Sequence, residues 1–333
     1  MDVEAQLTER WSGGVAVRYE DFSEFGDTVN GKVATRFEIT PNLAVRGSYS
    51  TGFRAPTPGQ LNSTSTSQGL DTVTLQLFTA GRLSPTNPVA VFLGAEPLEP
   101  EESESFTAGL TWRTDYGLSG SIDAYQIDVS DRFSTSASIT VTPAIRAQLV
   151  AAGVPGASSF TRVNWFANDF DTRTRGVDVV GAYDRALGAG RLNLTAAYNY
   201  NETEVTAGSI SASATQKRLF EESRPQHNAT ASATYGFGPF EVVGRARYYG
   251  EWTDSTGNST GDIFQSFGAI TFFDLSASYA FADRATVRVG AENIFDKYPD
   301  EAVFQASRGL VYSRNSPYDT NGAMYYVRLD VNF

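Results

Sequence analysis

The sequence of 333 residues contains no cysteine and a single histidine. Without cysteine there is neither a disulfide framework nor thiolate chemistry, and one histidine offers no His-assisted nucleophile and no partner for a shared metal ion. The formal net charge of −12 argues against nucleic acid as a partner. We therefore predict that the chain is not an enzyme and that it has no cofactor, no metal site and no nucleic acid partner.

Long apolar runs are also missing. No stretch approaches the about 18 consecutive apolar residues of a membrane helix. The first residues, Met1-Asp2-Val3-Glu4, lack the charged region and apolar core of a signal peptide. Helical periodicity is nearly absent, and residues 143–152 are its best example.

In the last ten residues of the chain, apolar and polar residues alternate strictly. Successive side chains of a strand point to opposite faces, so this strand has one apolar and one polar face. The apolar positions are Tyr325, Val327, Leu329, Val331 and Phe333, and the polar positions are Tyr326, Arg328, Asp330 and Asn332. In a soluble sheet the apolar face covers a core, whereas in an outer-membrane barrel it faces lipid.

The same alternation recurs along the chain and predicts about 13 strands. Their predicted bounds are 2–8, 12–21, 29–39, 43–53, 102–113, 117–129, 160–183, 190–203, 224–236, 240–252, 269–281, 285–294 and 322–333. Short turns alternate with long polar loops at about 54–101, 130–159, 204–223, 253–268 and 295–321. This alternation of connection lengths is typical of transmembrane barrels.

Aromatic residues lie beside the short turns, as in the interfacial belts of membrane barrels. The alternative is a soluble β-sandwich whose aromatic residues fill a core. Strands of about ten residues and alternating loop lengths favour the barrel.

Four sequence motifs follow one another along the chain. They are Ser48-Tyr49-Ser50-Thr51-Gly52-Phe53-Arg54-Ala55-Pro56, Pro97-Leu98-Glu99-Pro100-Glu101-Glu102-Ser103, Thr174-Arg175-Gly176-Val177-Asp178 and Gly290-Ala291-Glu292-Asn293-Ile294-Phe295-Asp296-Lys297-Tyr298-Pro299. With the terminal strand ending at Phe333, this set resembles the segments of TonB-dependent outer-membrane receptors. The resemblance covers nearly the whole chain from Arg18 to Phe333.

The resemblance implies an all-β transmembrane antiparallel barrel of about 22 strands around an N-terminal plug. Residues 1–333 would form the C-terminal part of that barrel, without plug and signal peptide, in the outer membrane of a Gram-negative bacterium. An odd number of strands cannot close an antiparallel barrel, so we expect the chain to be a fragment. Phe333 would be the signal read by the barrel assembly machinery.

Residues two positions apart in a strand lie on the same face. This rule places a set of charged side chains on the polar, lumen-facing side of the strands. The candidates for ligand or plug contact among them are Arg36, Arg46, Arg245 and Arg247, and Arg54 joins them at the outer rim. The alternative is that lumen charges pair with each other or with the plug, because buried charges need partners. For Arg54 the alternative is an ion pair that fixes the turn up to Pro56.

Five further residues allow two interpretations each. His227 is a structural or solvated residue, or a metal ligand without a second histidine. Asp254 and Asp262 would hold Ca²⁺ or belong to a solvated acidic loop. Arg173 and Arg175 share parity with apolar positions, so they lie above the bilayer unless a bulge at Gly176 reverses the parity.

Three functions stay open. The first is TonB-driven uptake of a scarce nutrient, a ferric siderophore above all, with outer-membrane lipid, the plug, the TonB complex and a small-molecule ligand as partners. The second is a passive porin-type channel. The third is a truncated product without function.

Overall fold

The structure is a computed structural model of the whole chain. It describes residues 1–23, 26–70, 75–212, 214–255, 263–281, 284–303 and 309–331. The predictions on Phe333 and Asp262 lie outside these residues. None of the helices in the described ranges has the length and apolarity needed to span a membrane.

Eighteen strands lie within the described residues. In chain order they are β1 (Asp2–Thr8), β2 (Trp11–Phe22), β3 (Gly26–Thr40), β4 (Leu43–Arg54), β5 (Ser65–Leu70), β6 (Leu77–Leu83), β7 (Glu101–Arg113), β8 (Leu118–Thr135), β9 (Ile139–Thr140), β10 (Arg162–Leu187), β11 (Gly190–Gly208), β12 (His227–Phe237), β13 (Phe240–Tyr249), β14 (Trp252–Ser255), β15 (Phe264–Phe267), β16 (Ile270–Phe281), β17 (Ala285–Glu292) and β18 (Met324–Val331).

Thirteen of these strands form one antiparallel wall, in the order β1-β2-β3-β4-β7-β8-β10-β11-β12-β13-β16-β17-β18. Each strand pairs with the next long strand of the chain, so the wall is an up-and-down meander. Among the described residues β1 and β18 are the two ends of this order, and the sheet is open. The predicted thirteen strands and the all-β antiparallel class are confirmed.

One face of the wall is apolar and exposed. Val33 lies opposite Tyr49, and Tyr49 lies opposite Phe106, so apolar side chains form rows across neighbouring strands. Val17 is 51% exposed and Val327 is 75% exposed. A β-sandwich would cover such a face with a second sheet, and the described part of the chain places none there. The sandwich alternative is therefore wrong.

The long loops contain most of the remaining secondary structure. Helix α3 (Pro143–Ala151) confirms the predicted helix, and its N-cap Thr142 accepts a hydrogen bond from the Ile145 amide. Three helices were not predicted. Two of them, α1 (Pro58–Asn62) and α2 (Pro88–Phe92), are too short to show periodicity, whereas α4 (Ala214–Glu222) is as long as α3 and was missed within a polar loop. The strands β5, β6, β9, β14 and β15 also lie in loops, and β14 pairs only with β15.

The clusters of buried apolar residues lie in these loops and in the strand ends beside them. The first cluster joins the loop after β4 to the loop after β8, with Val89, Leu149 and Trp165 at its centre. The second joins β14 and β15 to the last loop through Trp252, Phe267 and Tyr318. A third, smaller cluster seats Phe220 of α4 on Phe170. The loops are thus folded bodies with cores of their own.

Gly176 and Gly290 belong to two of the motifs, and on the polar face a tyrosine side chain lies directly over each of them. A Cβ added at Gly176 would lie 2.3 Å from the Tyr125 hydroxyl, and one at Gly290 would lie 2.6 Å from the Tyr326 hydroxyl. Only glycine permits such close approach. Tyr125 then accepts hydrogen bonds from Asn201 at 2.8 Å and Asn199 at 3.3 Å.

Candidate functional site

The polar face of the wall lines a cavity of about 1140 Å³ beside β2, β3, β4, β8 and β10. Charged side chains on four of these strands point into it, because they share one parity. They are Lys32, Arg36, Arg46, Asp123 and Asp178, and Glu4 of β1 also lines the cavity. The predicted polar lumen face is therefore present, and it contains two of the five candidate arginines.

Arg46 binds Asp123 in a bidentate ion pair. Its Nε and one terminal nitrogen donate to the two carboxylate oxygens at 2.7 and 2.6 Å. Asp178 lies directly opposite Asp123 in the register and accepts a hydrogen bond of 2.6 Å from Asn199. Arg36 pairs with Glu38 two residues along the same strand, at 2.5 Å. Both arginines keep about half of their side-chain surface exposed.

Arg245 and Arg247 share one carboxylate. The Nε atoms of both donate to the same oxygen of Asp274, at 2.7 and 3.0 Å, and Arg247 also reaches the other oxygen at 3.0 Å. The backbone amide of Asn293 donates to Asp274 at 2.9 Å. The carboxylate of this centre is the more buried one, with the Asp274 side chain 9% exposed against 22% for Asp123, whereas Arg245 is 43% exposed. The centre carries one excess positive charge.

Arg54 pairs with Glu101 of the neighbouring strand at 2.5 Å. Its guanidinium also lies 5.2 Å from the centre of the Phe133 ring, and Glu101 accepts the Phe133 amide at 2.7 Å. The expected ion pair exists, but it is not local: it ties the Arg54 motif to the Glu101 motif, 47 residues along the chain. The register of β4 and β7 places the two residues opposite each other.

Three further pairs of charges on the polar face also form within the wall. These pairs are Arg18–Glu20, Arg288–Glu241 and Arg328–Asp330. Lys32 has no ion pair with any described residue. Contact of the five candidate arginines with a ligand or a plug stays a prediction.

Arg173 and Arg175 lie on the same face as Val177. The pairing of β10 with β8 and β11 runs without a register shift from Thr172 to Tyr183, so the bulge predicted as one alternative at Gly176 is absent. Arg173 pairs with Asp128 at 2.6 Å and Arg175 donates to Gln126 at 3.0 Å on that face. These polar contacts agree with the other alternative, in which Arg173 and Arg175 lie above the bilayer.

His227 and Asp254 are held by neighbours in the protein. A hydrogen bond of 2.7 Å joins His227 Nδ1 to the Tyr198 hydroxyl, and its ring lies 5.0 Å from that of Tyr200. Asp254 is buried and accepts hydrogen bonds from Ser313 at 2.6 Å and Asn315 at 3.1 Å. Within the described residues no group of three or more His, Cys, Asp or Glu side chains has the geometry of a metal site.

Several side chains of the site were not singled out from the sequence. The alternation of polar and apolar residues in their strands places Asp123 and Asp274 on the polar face, so both could have been found from the sequence. Arg224 and Tyr318 lie in loops, where no periodicity exists. Trp252 was predicted at the end of strand 240–252, but β13 ends at Tyr249 and Trp252 is buried in β14. The Trp252 indole donates to the Tyr318 hydroxyl at 3.1 Å, and burial raises the pKa of that hydroxyl, so it stays protonated.

Comparison with known proteins agrees with this architecture. The family described as "TonB dependent receptor-like, beta-barrel" matches residues 2–294. The iron-regulated outer membrane virulence protein of Vibrio cholerae is 24% identical over 330 residues, which is 98% of this chain and 43% of that protein.

Two solved structures show the same fold. The siderophore receptor PirA from Acinetobacter baumannii has a TM-score of 0.68 and 15% identity, over 100% of this chain and 45% of that one. A mutant of the ferric enterobactin receptor PfeA from Pseudomonas aeruginosa, R480A, in complex with enterobactin, has a TM-score of 0.68 and 15% identity, over 97% and 43%. This chain spans less than half the length of these relatives. It belongs to the family of TonB-dependent receptors and lies in the outer membrane.

Proposed function

We propose that this chain forms the C-terminal wall of a barrel that takes up a ferric siderophore by TonB-driven transport. The observation that carries the proposal is the division of the molecule into a charged lumen wall and folded loops above it. The loops offer a rim with cores of its own for ligand capture, and the excess positive charge of Arg245 and Arg247 over Asp274 favours an anionic cargo. The proposal gives the chain no catalytic role.

The relatives support this choice of cargo. One similar structure is a siderophore receptor, another is a ferric enterobactin receptor, and the Vibrio relative is iron-regulated. In the proposed mechanism the ligand binds at the loops and lumen, and TonB then pulls a plug that precedes residues 1–333 in the full-length protein. Phe333 serves as the signal for the barrel assembly machinery.

The test is iron uptake by cells with and without the gene that encodes this chain in full. We expect deletion to abolish growth on one ferric siderophore as sole iron source, and the gene to restore growth only when TonB is present. Loss of TonB without effect on uptake, together with ion conductance of the purified protein in planar bilayers, would establish the porin-type channel instead. A stop codon directly upstream of Met1 would favour the truncated product.

A further inference from the structure

A second cavity lies on the apolar face of the wall, which is the face toward lipid. Its volume is about 730 Å³, and residues of β8, β10, β11, β12, β13 and β16 line it. An apolar cavity of about 150 Å³ already holds a benzene ring in a protein interior. The cavity on the wall therefore has room for a hydrocarbon chain.

The floor of this cavity is a row of residues with small side chains. The row consists of Gly181, Ala196, Ala231 and Ala246, each opposite the next in the register of β10, β11, β12 and β13. Within the described residues, a Cβ added at Gly181 or at Gly244 of the neighbouring row would meet nothing within 4 Å. The space above the floor is therefore open.

Large aromatic side chains stand at both ends of the row. At the β8 end the Trp112 ring lies over Gly120, which is the next position of the row. At the β16 end Phe273 lies opposite Ala246, and its ring centre is 5.5 Å from that of Phe295. The cavity is thus a closed-ended trough from β10 to β13, about 14 Å across at the usual strand spacing.

The trough lies near the middle of the membrane. Phe237 stacks on Phe240 beside the short turn, and such aromatic rings lie at the headgroup level of membrane barrels. Ala231 is six residues from Phe237 in β12, which is about 20 Å along the strand. With a strand tilt of about 40°, the floor is about 15 Å from the headgroups, or half of the hydrocarbon thickness of about 30 Å.

A flexible hydrocarbon chain fits this trough better than a second protein wall. The bilayer core contains no water, so an unfilled trough would lose the dispersion contacts of its lining. Two sheets that pack face to face stay about 10 Å apart, and the exposed rings of Phe273 and Phe295 would hold a second wall away from the floor. An acyl chain can bend past these rings and contact the floor.

We propose that the trough binds one acyl chain of a glycerophospholipid from the leaflet at the short-turn rim. Toward that rim, Tyr183 and Leu194 close the trough in β10 and β11, whereas Ala233 and Gly244 leave it open in β12 and β13. The bound chain covers β13 and β16 behind the ion-pair centre of Asp274 and so stabilises the wall there. The site is independent of the transported cargo, because it lies outside the lumen.

The test uses the purified full-length gene product in detergent, phosphatidylethanolamine as the probe and native mass spectrometry as the readout. We expect the wild-type protein to retain one phosphatidylethanolamine molecule. Ala231→Leu and Ala246→Leu should each weaken this binding about tenfold, because the added side chain fills the trough. Ala124→Leu is the matched control: it adds the same side chain on the same face, opposite Val177 and outside the trough, and should change nothing.

A second measurement covers variants that are recovered in low yield. Phosphatidylethanolamine should raise the unfolding temperature of the wild type and of Ala124→Leu on an SDS gel more than that of the two trough variants, because a ligand stabilises only the state that binds it. Equal shifts in all four proteins would contradict the site.

Three further results would overturn the proposal. They are a wild-type protein that retains no phosphatidylethanolamine, retention of lipopolysaccharide in its place, and a dimer in detergent that Ala231→Leu and Ala246→Leu abolish. Iron uptake by cells is a separate readout. A protein that binds phosphatidylethanolamine in the trough but takes up no ferric siderophore retains the lipid site and loses the proposed function.

Discussion

Two ion-pair centres on the polar face use the same chemistry in different surroundings. Near β4 and β8, one arginine meets one carboxylate, Arg46 and Asp123, and the Asp123 side chain is 22% exposed. Near β13 and β16, Arg245 and Arg247 meet the single carboxylate of Asp274, which is 9% exposed. Bidentate geometry is present in both. The two centres differ in burial and in the number of cations.

From this difference we infer that the stability an ion pair gives the wall depends on which groups are left without a partner when its carboxylate is removed. Removing Asp274 would leave two guanidinium groups side by side and an unbonded Asn293 amide in a desolvated place. Removing Asp123 would leave a half-exposed arginine that water can solvate. It would also relieve the repulsion between Asp123 and Asp178, which lie directly opposite each other.

The largest effect is therefore expected from Asp274→Ala. We expect a loss of about 2–4 kcal/mol in the free energy of unfolding, because Arg247 and the buried Asn293 amide lose their hydrogen-bond partner. The measurement is the temperature at which the full-length protein changes from folded to unfolded mobility on an SDS gel. In the double variant with Arg247→Gln the loss should be smaller than the sum of the two single losses. Additive losses would contradict a shared centre.

A second comparison concerns the two glycines beneath tyrosines. At Gly176 an added Cβ would meet both Tyr125 and the backbone carbonyl of Tyr200, whereas at Gly290 it would meet only side chains. We expect Gly176→Ala to destabilise the wall by about 1–3 kcal/mol and Gly290→Ala by less, because a backbone atom cannot move aside.

Gly181→Ala is the matched control on the same strand, since an added Cβ there meets nothing within 4 Å. The same gel assay compares all three variants. A Gly181→Ala protein as unstable as Gly176→Ala would show that strand propensity, and not the tyrosine, sets the need for glycine.

The smallest effect is expected from Asp123→Asn, at about 0.5–1 kcal/mol or less. The loss should shrink further in 1 M salt, because exposed charges are screened, whereas the effect of Asp274→Ala should persist. Urea unfolding of both variants at two salt concentrations measures this. A salt-independent loss of more than about 2 kcal/mol for Asp123→Asn would show that exposure does not separate the two centres.

The strands were predictable from the sequence because each strand of the wall has one face toward lipid and one toward the lumen. Alternation is a local property, so all thirteen strands could be located, with end errors of a few residues. An ion pair of Arg54 was predicted, but its partner, Glu101, was not. Register between strands decides partners, and register is not visible in one strand alone.

The loops were predictable only in position and length. Helix α4 carries Phe220 to the cluster around Phe170, and it places the Arg218 guanidinium 4.4 Å from the centre of the Phe264 ring in β15. Nothing in the spacing of these residues indicates such contacts. They depend on which loops meet above the wall, and that follows from the order of strands around it.

The sequence by itself determined the all-β class, the thirteen strands, the assignment of faces and the rim that carries the long loops. The physical reason is that a strand between lipid and lumen must alternate residue by residue. The tertiary structure alone decided that Asp274 serves two arginines, that Arg54 binds Glu101, and that Gly181 and Ala246 line one trough. Those arrangements join residues 27 to 65 positions apart, and only the register of the wall brings them together.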